Sequence, residues 1–272
     1  MSETNPDPEA LARAAAQVRR LNAHLRKTRA PRALLARVER EVAALCDALA
    51  PDDHPGPYAQ AGLDLSFVDP GGPPLHLSPA EFFPYSPIIG PRNPISPLVV
   101  FEKKDGEMVA EHVFDAPYNG PPGSVHGGVI ALVFDELLGC LGAVSDVGGF
   151  TGTLKIVYRS LTPIGRPIRM RAWIDRVEGV KTFIHGTMHC DLPAPDTLCA
   201  EAEGIFIKPK RPLGQDALAR TNPRSSDGRL AGSSETVREE SAIADEPAAG
   251  AAPSDPRAAQ RERRVDERRA DR

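Results

Sequence analysis

The sequence predicts an α+β domain in which an antiparallel sheet wraps around one long central helix. Three observations predict it: two strand-like segments precede a long apolar segment, four more follow it, and turn signals separate the strands. The apolar segment, Val129–Leu138, has no continuous polar face, so a helix formed by it must be covered on most sides. A sheet that curls around a single helix provides that cover.

The compact domain is predicted to run from Ile95 to Pro212, residues 95–212. Its first two strands flank Asp105-Gly106, a strong hairpin turn signal, and Pro- and Gly-containing turns separate most of the later ones. The six predicted strands are Leu98–Lys103, Met108–Phe114, Gly152–Arg159, Ile168–Val177, Thr182–Cys190 and Leu198–Ile207.

Two helices are predicted before this domain, at Glu9–Lys27 and Arg32–Ala50, with a break at Pro31. In the second helix, apolar residues recur at steps of three and four, which leaves Arg and Glu on the other face. We expect this N-terminal helical pair, residues 1–50, to pack on the main domain or on another subunit. Residues 51–94 are rich in Pro and Gly, which favours an irregular wrap over a folded unit.

The C-terminal part of the sequence, residues 213–272, is dominated by Ala, Ser, Glu, Asp, Arg and Pro. It has almost no large apolar residues and carries dense charge of both signs near its end. Such a composition cannot bury enough apolar surface to fold alone. We therefore expect a disordered tail.

Composition and charge exclude several classes of function. The formal net charge of −4 does not favour binding to nucleic acid or to an anionic membrane. No apolar stretch approaches the roughly 20 residues of a membrane span, and the N-terminus does not resemble a secretory signal. The cysteines lack the CxxC spacing of metal or redox motifs, so buried free thiols in a cytoplasmic protein are expected; they are Cys46, Cys140, Cys190 and Cys199.

The start of the central helix is a candidate binding site. If Gly127 and Gly128 begin the helix, their amides are unsatisfied donors at the positive end of its dipole. Glycine leaves those amides open to a ligand, so they can hold a carbonyl oxygen as it gains negative charge. The preceding Pro-containing loop brings Asn119 and His126 to the same mouth. The alternative is that His-Gly-Gly is only a tight entry to a packed helix.

A second candidate, Asp135, lies eight residues beyond Gly127, or about 12 Å along a helix axis. Reacting groups must approach to within about 3–3.5 Å, so one chain cannot bring both to the same carbon. If they share a site, they come from two copies, in a homodimer with antiparallel helices and two equivalent sites. A carboxylate that faces a substrate cleft can act as a base or nucleophile, and Asp135 is expected to do so. Alternatively, Asp135-Glu136 marks a helix end or an exposed stripe, although Leu137 and Leu138 extend the apolar run past the pair.

These residues carry a resemblance to a known family. The segment from about Asn93 to Lys210 resembles the PaaI-type hotdog-fold thioesterases. The matching pieces are the loop YNGPPGSVHGG, the helix GGVIALVFDELLG, the strand TGTLKIVYRSLTPIGRPI and the closing run CAEAEGIFIKPK. The resemblance implies a hotdog fold and an acyl-CoA thioesterase that converts a fatty or aromatic acyl-CoA to free acid and coenzyme A. It also implies a homodimer or a dimer of dimers.

The resemblance assigns roles to individual residues. The Gly127 amide would polarise the thioester carbonyl, Asp135 would act as base or nucleophile, and Thr151, with Thr153 as the alternative, would place the water. Another hotdog branch uses a glutamate on this helix, but the spacing favours Asp135 and leaves Glu136 a structural or supporting role. The predicted catalytic residues are Asp135, Gly127, Thr151, His126 and Asn119, and the predicted substrate-binding residues are Gly128, Thr153, Lys155 and Arg159.

Other kinds of site find less support. No GxSxG motif surrounds a serine, and no Walker or dinucleotide fingerprint occurs, so no cofactor is expected. His185, His189 and Cys190 lack the partners of a zinc site, so no metal is expected either. The basic groups are either a solvated surface or contacts to the phosphates of coenzyme A; they are Lys155 with Arg159, and Lys208 with Lys210 and Arg211.

Two alternative functions stay open at this stage. A non-catalytic hotdog module could bind acyl-CoA as a sensor or interaction protein, although the intact set of Gly127, Asp135 and Thr151 argues against it. A hotdog hydratase would need a catalytic His on the central helix, and none follows Asp135 there.

Overall fold

The structure is a computed structural model that describes residues 7–53 and 78–209. Its strands are β1 (Glu102–Lys104), β2 (Glu107–Val113), β3 (Phe150–Tyr158), β4 (Pro167–Glu178), β5 (Lys181–Cys190) and β6 (Thr197–Ile207). They form one antiparallel sheet in the order β1-β2-β4-β5-β6-β3, so that β1 and β3 are the edge strands.

The described residues also form four α-helices: α1 (Pro8–Lys27), α2 (Arg32–Leu49), the single turn α3 (Pro79–Phe82) and α4 (Gly127–Ala143). The last is the predicted central helix, and nine of its 17 residues are buried. It contacts β2, β3, β4, β5 and β6, which together cover its apolar surface. This is the hotdog arrangement, and the α+β fold prediction is confirmed.

Two sheet glycines let α4 approach the strands closely. A Cβ atom at Gly186 would lie 2.8 Å from Leu138 Cδ1, and one at Gly204 would lie 2.9 Å from Leu138 Cδ2. Leu138 therefore fills space that side chains on β5 and β6 would otherwise occupy. Because Leu138 and Phe134 point at the sheet, Asp135, one residue after Phe134, is rotated toward the flank of the helix, where β3 runs.

The N-terminal helices are confirmed to within one residue, and α1 packs on the main domain. The side chain of Ala15 is buried. The Arg19 guanidinium donates to the carbonyl oxygens of Pro91, at 3.1 Å, and Asn93, at 2.8 Å. Lys27 forms an ion pair with Asp115, at 2.6 Å. These contacts fix α1 beside the loop that leads into α4.

The predicted first strand, Leu98–Lys103, is wrong, because pairing begins only at Glu102. Leu98 has φ of 60°, which interrupts an extended chain, and the Val99 amide donates to the carbonyl oxygen of Ile88, at 3.1 Å. Val99 is thus buried and bonded to the segment before it rather than paired in the sheet, whereas Leu98 and Val100 are exposed. The other five predicted strands are confirmed to within two residues.

The predicted hairpin turn is present between β1 and β2. Asp105 and Gly106 have φ of 51° and 85°, the positive values that a tight two-residue turn requires.

Two further predictions fall wholly or partly outside the described residues. Of the predicted wrap at 51–94, the described part from residue 78 onward consists of α3 and a series of turns. The predicted disordered tail at 213–272 lies outside the described residues. Within the part that is described, no helix is both long and apolar enough to cross a membrane.

Candidate functional site

The first turn of α4 leaves one backbone amide open. His126 caps the helix, and its Nδ1 accepts the Gly128 amide at 3.0 Å. Because Nδ1 is an acceptor, the neutral imidazole carries its proton on Nε2. The Gly127 amide has no hydrogen-bond acceptor among the described residues. Of the two predicted glycine donors, Gly127 is therefore available to a ligand and Gly128 is engaged by His126.

The loop before the helix folds back tightly on His126. Asn119 pairs with Val125 in an isolated antiparallel bridge, and the His126 amide donates to the Tyr118 carbonyl at 2.9 Å. A Cβ atom at Gly120 would lie 2.6 Å from the Cα of His126, so only glycine permits this approach. The Asn119 side chain donates to the Gly120 carbonyl at 3.0 Å. Asn119 and His126 thus lie close together at the start of α4, where the Asn119 side chain stabilises the loop.

Asp135 accepts a hydrogen bond from the Thr151 hydroxyl at 2.8 Å. The geometry depends on a bulge in β3: Thr151 pairs with Phe206 and Thr153 with Ile205, which leaves Gly152 as an extra residue. Bulges re-aim neighbouring side chains, and this one accompanies the orientation of Thr151 toward the helix. Of the two predicted threonines, Thr151 rather than Thr153 contacts the carboxylate.

Asp135 faces a cleft and not the core. The cleft has a volume of about 350 Å³, within the usual range of about 300–1,000 Å³ for small-molecule sites. Glu136 and Thr151 share its polar lining. Four aromatic side chains supply much of the apolar wall: Phe83, Tyr85, Phe150 and Phe206.

Glu136 supports the wall of this cleft. Burial raises the pKa of its carboxyl, the Ser86 hydroxyl lowers it by hydrogen bonding, and the charge of Asp135 raises it again. The Ser86 oxygen in turn accepts the amides of Ile88, at 3.1 Å, and Ile89, at 3.2 Å. Ser86 could not be predicted as part of the site, because no local pattern links it to a helix residue 50 positions later.

The edge strand β3 connects the two ends of the site. The Tyr158 hydroxyl donates to the Gly127 carbonyl at 2.9 Å, whereas Thr151 bonds Asp135. The strand therefore runs opposite to α4, with one end beside the carboxylate and the other beside the open amide. Tyr158 was absent from the predicted site, and its place follows only from the pairing of β3 with β6.

The predicted phosphate-binding residues are paired with glutamates of β6. Lys155 lies 3.3 Å from Glu203, and Arg159 Nε donates to Glu201 at 2.9 Å. Both glutamates are 42 or more residues away along the chain, so sequence pattern could not reveal them.

The histidines considered for metal binding have other partners. His189 lies 3.2 Å from Asp196, and the His185 ring stacks on Trp173. In residues 7–53 and 78–209, no group of three or more His, Cys, Asp or Glu side chains could hold a metal ion.

A larger cavity, of about 600 Å³, lies over β2 and β4, away from Asp135. Its arginines are already paired with carboxylates: Arg169 with Asp191 and Asp196, and Arg171 with Glu107.

Comparison with known proteins places this geometry among thioesterases. Acyl-coenzyme A thioesterase THEM4 of Mus musculus is 35% identical over 98 residues, which are 35% of this chain and 40% of the mouse protein. Acyl-coenzyme A thioesterase THEM5 of Homo sapiens is 31% identical over 91 residues, which are 33% of this chain and 35% of the human protein. The chain thus spans less than half the length of these curated relatives. No protein-family model matches it.

A solved structure matches over a much greater length. The crystal structure of a thioesterase superfamily protein is 30% identical, with a TM-score of 0.58, and the match covers 72% of this chain and 94% of that one. Such a match includes nearly the whole of the relative rather than a shared fragment. The chain therefore belongs to the thioesterase superfamily.

Proposed function

We propose that the chain hydrolyses acyl-CoA thioesters to a free acid and coenzyme A. The observation that carries the proposal is the hydrogen bond from Thr151 to Asp135, on the same helix that begins with the open Gly127 amide. An acid–base group and an oxyanion donor are what acyl transfer to water requires. The names of the mouse and human relatives support the same activity.

In the proposed reaction, the thioester carbonyl oxygen accepts the Gly127 amide at the positive end of α4. As the carbonyl carbon is attacked, this oxygen gains negative charge, which the amide and the helix dipole stabilise. Asp135 either removes a proton from the attacking water or attacks the carbon itself. In both routes the tetrahedral intermediate collapses with cleavage of the C–S bond, and coenzyme A leaves as the thiolate, which takes up a proton. In the second route, water then hydrolyses the mixed anhydride on Asp135 to the free acid. The Thr151 hydroxyl orients the carboxylate and the water beside it.

The proposed site is composite, because Gly127 and Asp135 are separated by about 12 Å within one helix. A free edge on β3, a nine-residue strand, suits antiparallel pairing with a second copy. Pairing centred between Leu154 and Lys155 sets Thr151 opposite Tyr158 of the second copy. Because Thr151 contacts Asp135 and Tyr158 contacts Gly127, this arrangement brings the carboxylate of one copy toward the amide of the other.

The cleft supports an apolar acyl group. Its aromatic lining and volume of about 350 Å³ suit a fatty or aromatic acyl chain seated next to Asp135. We place the phosphates of coenzyme A near Lys155 and Arg159, on the exposed face of β3. Binding there requires these side chains to exchange their glutamate partners for phosphate, which offers a higher charge.

The test measures release of free thiol from a panel of acyl-CoA substrates. We expect turnover by the wild-type chain and its loss in Asp135→Asn, with the same thermal unfolding midpoint in both. Affinity for acyl-CoA without thiol release would identify a binding module and not an enzyme. An unchanged rate in Asp135→Asn would exclude the proposed mechanism.

A further inference from the structure

Helix α2 carries an apolar stripe that the described structure leaves largely exposed. Within residues 7–53 and 78–209, no residue of α2 is buried, and Leu45 and Leu49 are 65% and 68% exposed. The stripe runs through Leu35, Val38, Val42, Leu45 and Leu49, of which the two valines are half-buried, and the exposed Leu34 lies beside its start.

The two N-terminal helices differ in how they meet the domain. Arg19, Asn22 and Lys27 of α1 all bond to residues of the segment 91–115. The side-chain hydrogen bond described for α2 joins Arg37 to Glu41 of the same helix. Helix α1 thus serves as the attachment, and α2 presents its stripe outward.

The spacing of the stripe indicates that a helix covers it. Its residues follow one another at steps of three, four, three and four, the repeat of a two-helix coiled coil. Steps that average 3.5 residues keep the stripe aligned with a partner helix over the 18 residues of α2, a length of about 27 Å.

The charges of α2 indicate that the helix covering the stripe is a second copy of α2. Its first half carries Arg32, Arg37 and Arg40 beside one acidic residue, Glu39, and basic residues there oppose the helix dipole. Acidic residues follow in its second half, at Glu41 and Asp47, and just beyond its end, at Asp52 and Asp53. Two copies of α2 side by side in opposite directions place each basic end against an acidic end, with Arg32 near Asp53 of the second copy.

We propose that α2 is an interaction surface for a second copy of this chain, in an antiparallel pair related by a twofold axis. The contact uses neither the β3 edge nor the Asp135 cleft. It therefore links subunits independently of the proposed catalytic dimer, and together the two contacts generate a dimer of dimers.

The first experiment compares two variants of the full chain, each with one substitution in α2, by sedimentation equilibrium. Val42→Glu places a charge in the middle of the stripe, whereas Ala44→Glu places the same charge on another face of α2. We expect Val42→Glu to reduce the assembly mass to about half and Ala44→Glu to leave it unchanged. Circular dichroism and thiol release should match wild type in both. An unchanged mass in Val42→Glu, or an equal loss in both variants, would overturn the proposal.

A charge exchange tests the antiparallel direction without touching the stripe. Arg32→Glu sets like charges together and should weaken association, and the double variant Arg32→Glu/Asp53→Arg should restore it. A double variant as weak as the single one would refute the antiparallel pairing. Because thiol release is measured separately, failure here leaves the proposed hydrolysis intact.

Discussion

The open Gly127 amide can be removed with little other change. Gly127→Pro deletes the N–H at the first helical position, where proline is well tolerated. The preceding residue, His126, has ψ of 134°, the extended conformation that a following proline favours. A Cβ atom at position 127 would meet Tyr158 Oη at 3.5 Å, an ordinary contact.

The expected effects on activity and stability have opposite signs. Loss of one oxyanion donor typically lowers kcat by about 10²–10³, or about 2.7–4 kcal/mol of transition-state stabilisation. Replacing glycine by proline at a compatible position raises the free energy of unfolding by about 0.4–1 kcal/mol, because the unfolded chain loses freedom. Gly127→Pro should therefore be a folded and nearly inactive protein.

The assay is steady-state thiol release from acyl-CoA, with thermal unfolding as the measure of folding. Gly127→Ala is the matched control, since it adds a side chain but keeps the N–H, and it should retain most of the activity. A Gly127→Pro rate within about threefold of wild type would refute the oxyanion role, since the missing donor should cost far more. An equal loss of activity in Gly127→Ala would show that the volume of the added side chain, and not the missing N–H, lowers the rate.

Three further predictions concern the cleft and its supports. Thr151→Val removes the donor to Asp135 and should cost about 1.5–3 kcal/mol in kcat/KM, with Thr151→Ser active; equal rates in all three proteins would contradict this. Gly149→Ala places a Cβ 2.6 Å from the Ile207 carbonyl, and urea unfolding should show a loss of about 1–3 kcal/mol. Burial raises the pKa of the Glu136 carboxyl in the folded protein above its ordinary value. The free energy of unfolding therefore falls as the pH rises from the ordinary pKa of glutamate to the raised one. Glu136→Gln should therefore be more stable than wild type at neutral pH, and the difference should vanish in acid; a pH-independent difference would contradict this cause.

The parts of the fold that were predictable have local signals. Both N-terminal helices follow from apolar periodicity and the break at Pro31, and the β1–β2 turn follows from Asp105-Gly106. The first strand was predicted wrongly because the run from Leu98 to Phe101 has strand composition. Its buried residue Val99 bonds to Ile88 instead, a contact that local pattern does not encode.

The candidate site also contains some features that local sequence signals predict and others that they do not. The helix start at Gly127 and the spacing to Asp135 are local and were predicted from the sequence. The bulge at Gly152, the Tyr158 contact and the Ser86 hydroxyl each depend on pairing between distant segments. Sequence pattern could thus indicate the proposed reacting groups but not the residues that hold them in place.

The opposite directions of β3 and α4 have a consequence for genetics. In a mixed dimer of one Asp135→Asn chain and one Gly127→Pro chain, both substitutions fall in the same composite site. The other site combines the Gly127 amide of the first chain with the Asp135 carboxylate of the second. When both inactive chains are produced together and assemble at random, about half of the dimers are mixed, and each mixed dimer holds one intact site. Two alleles that fail separately would then complement each other to about one quarter of wild-type activity.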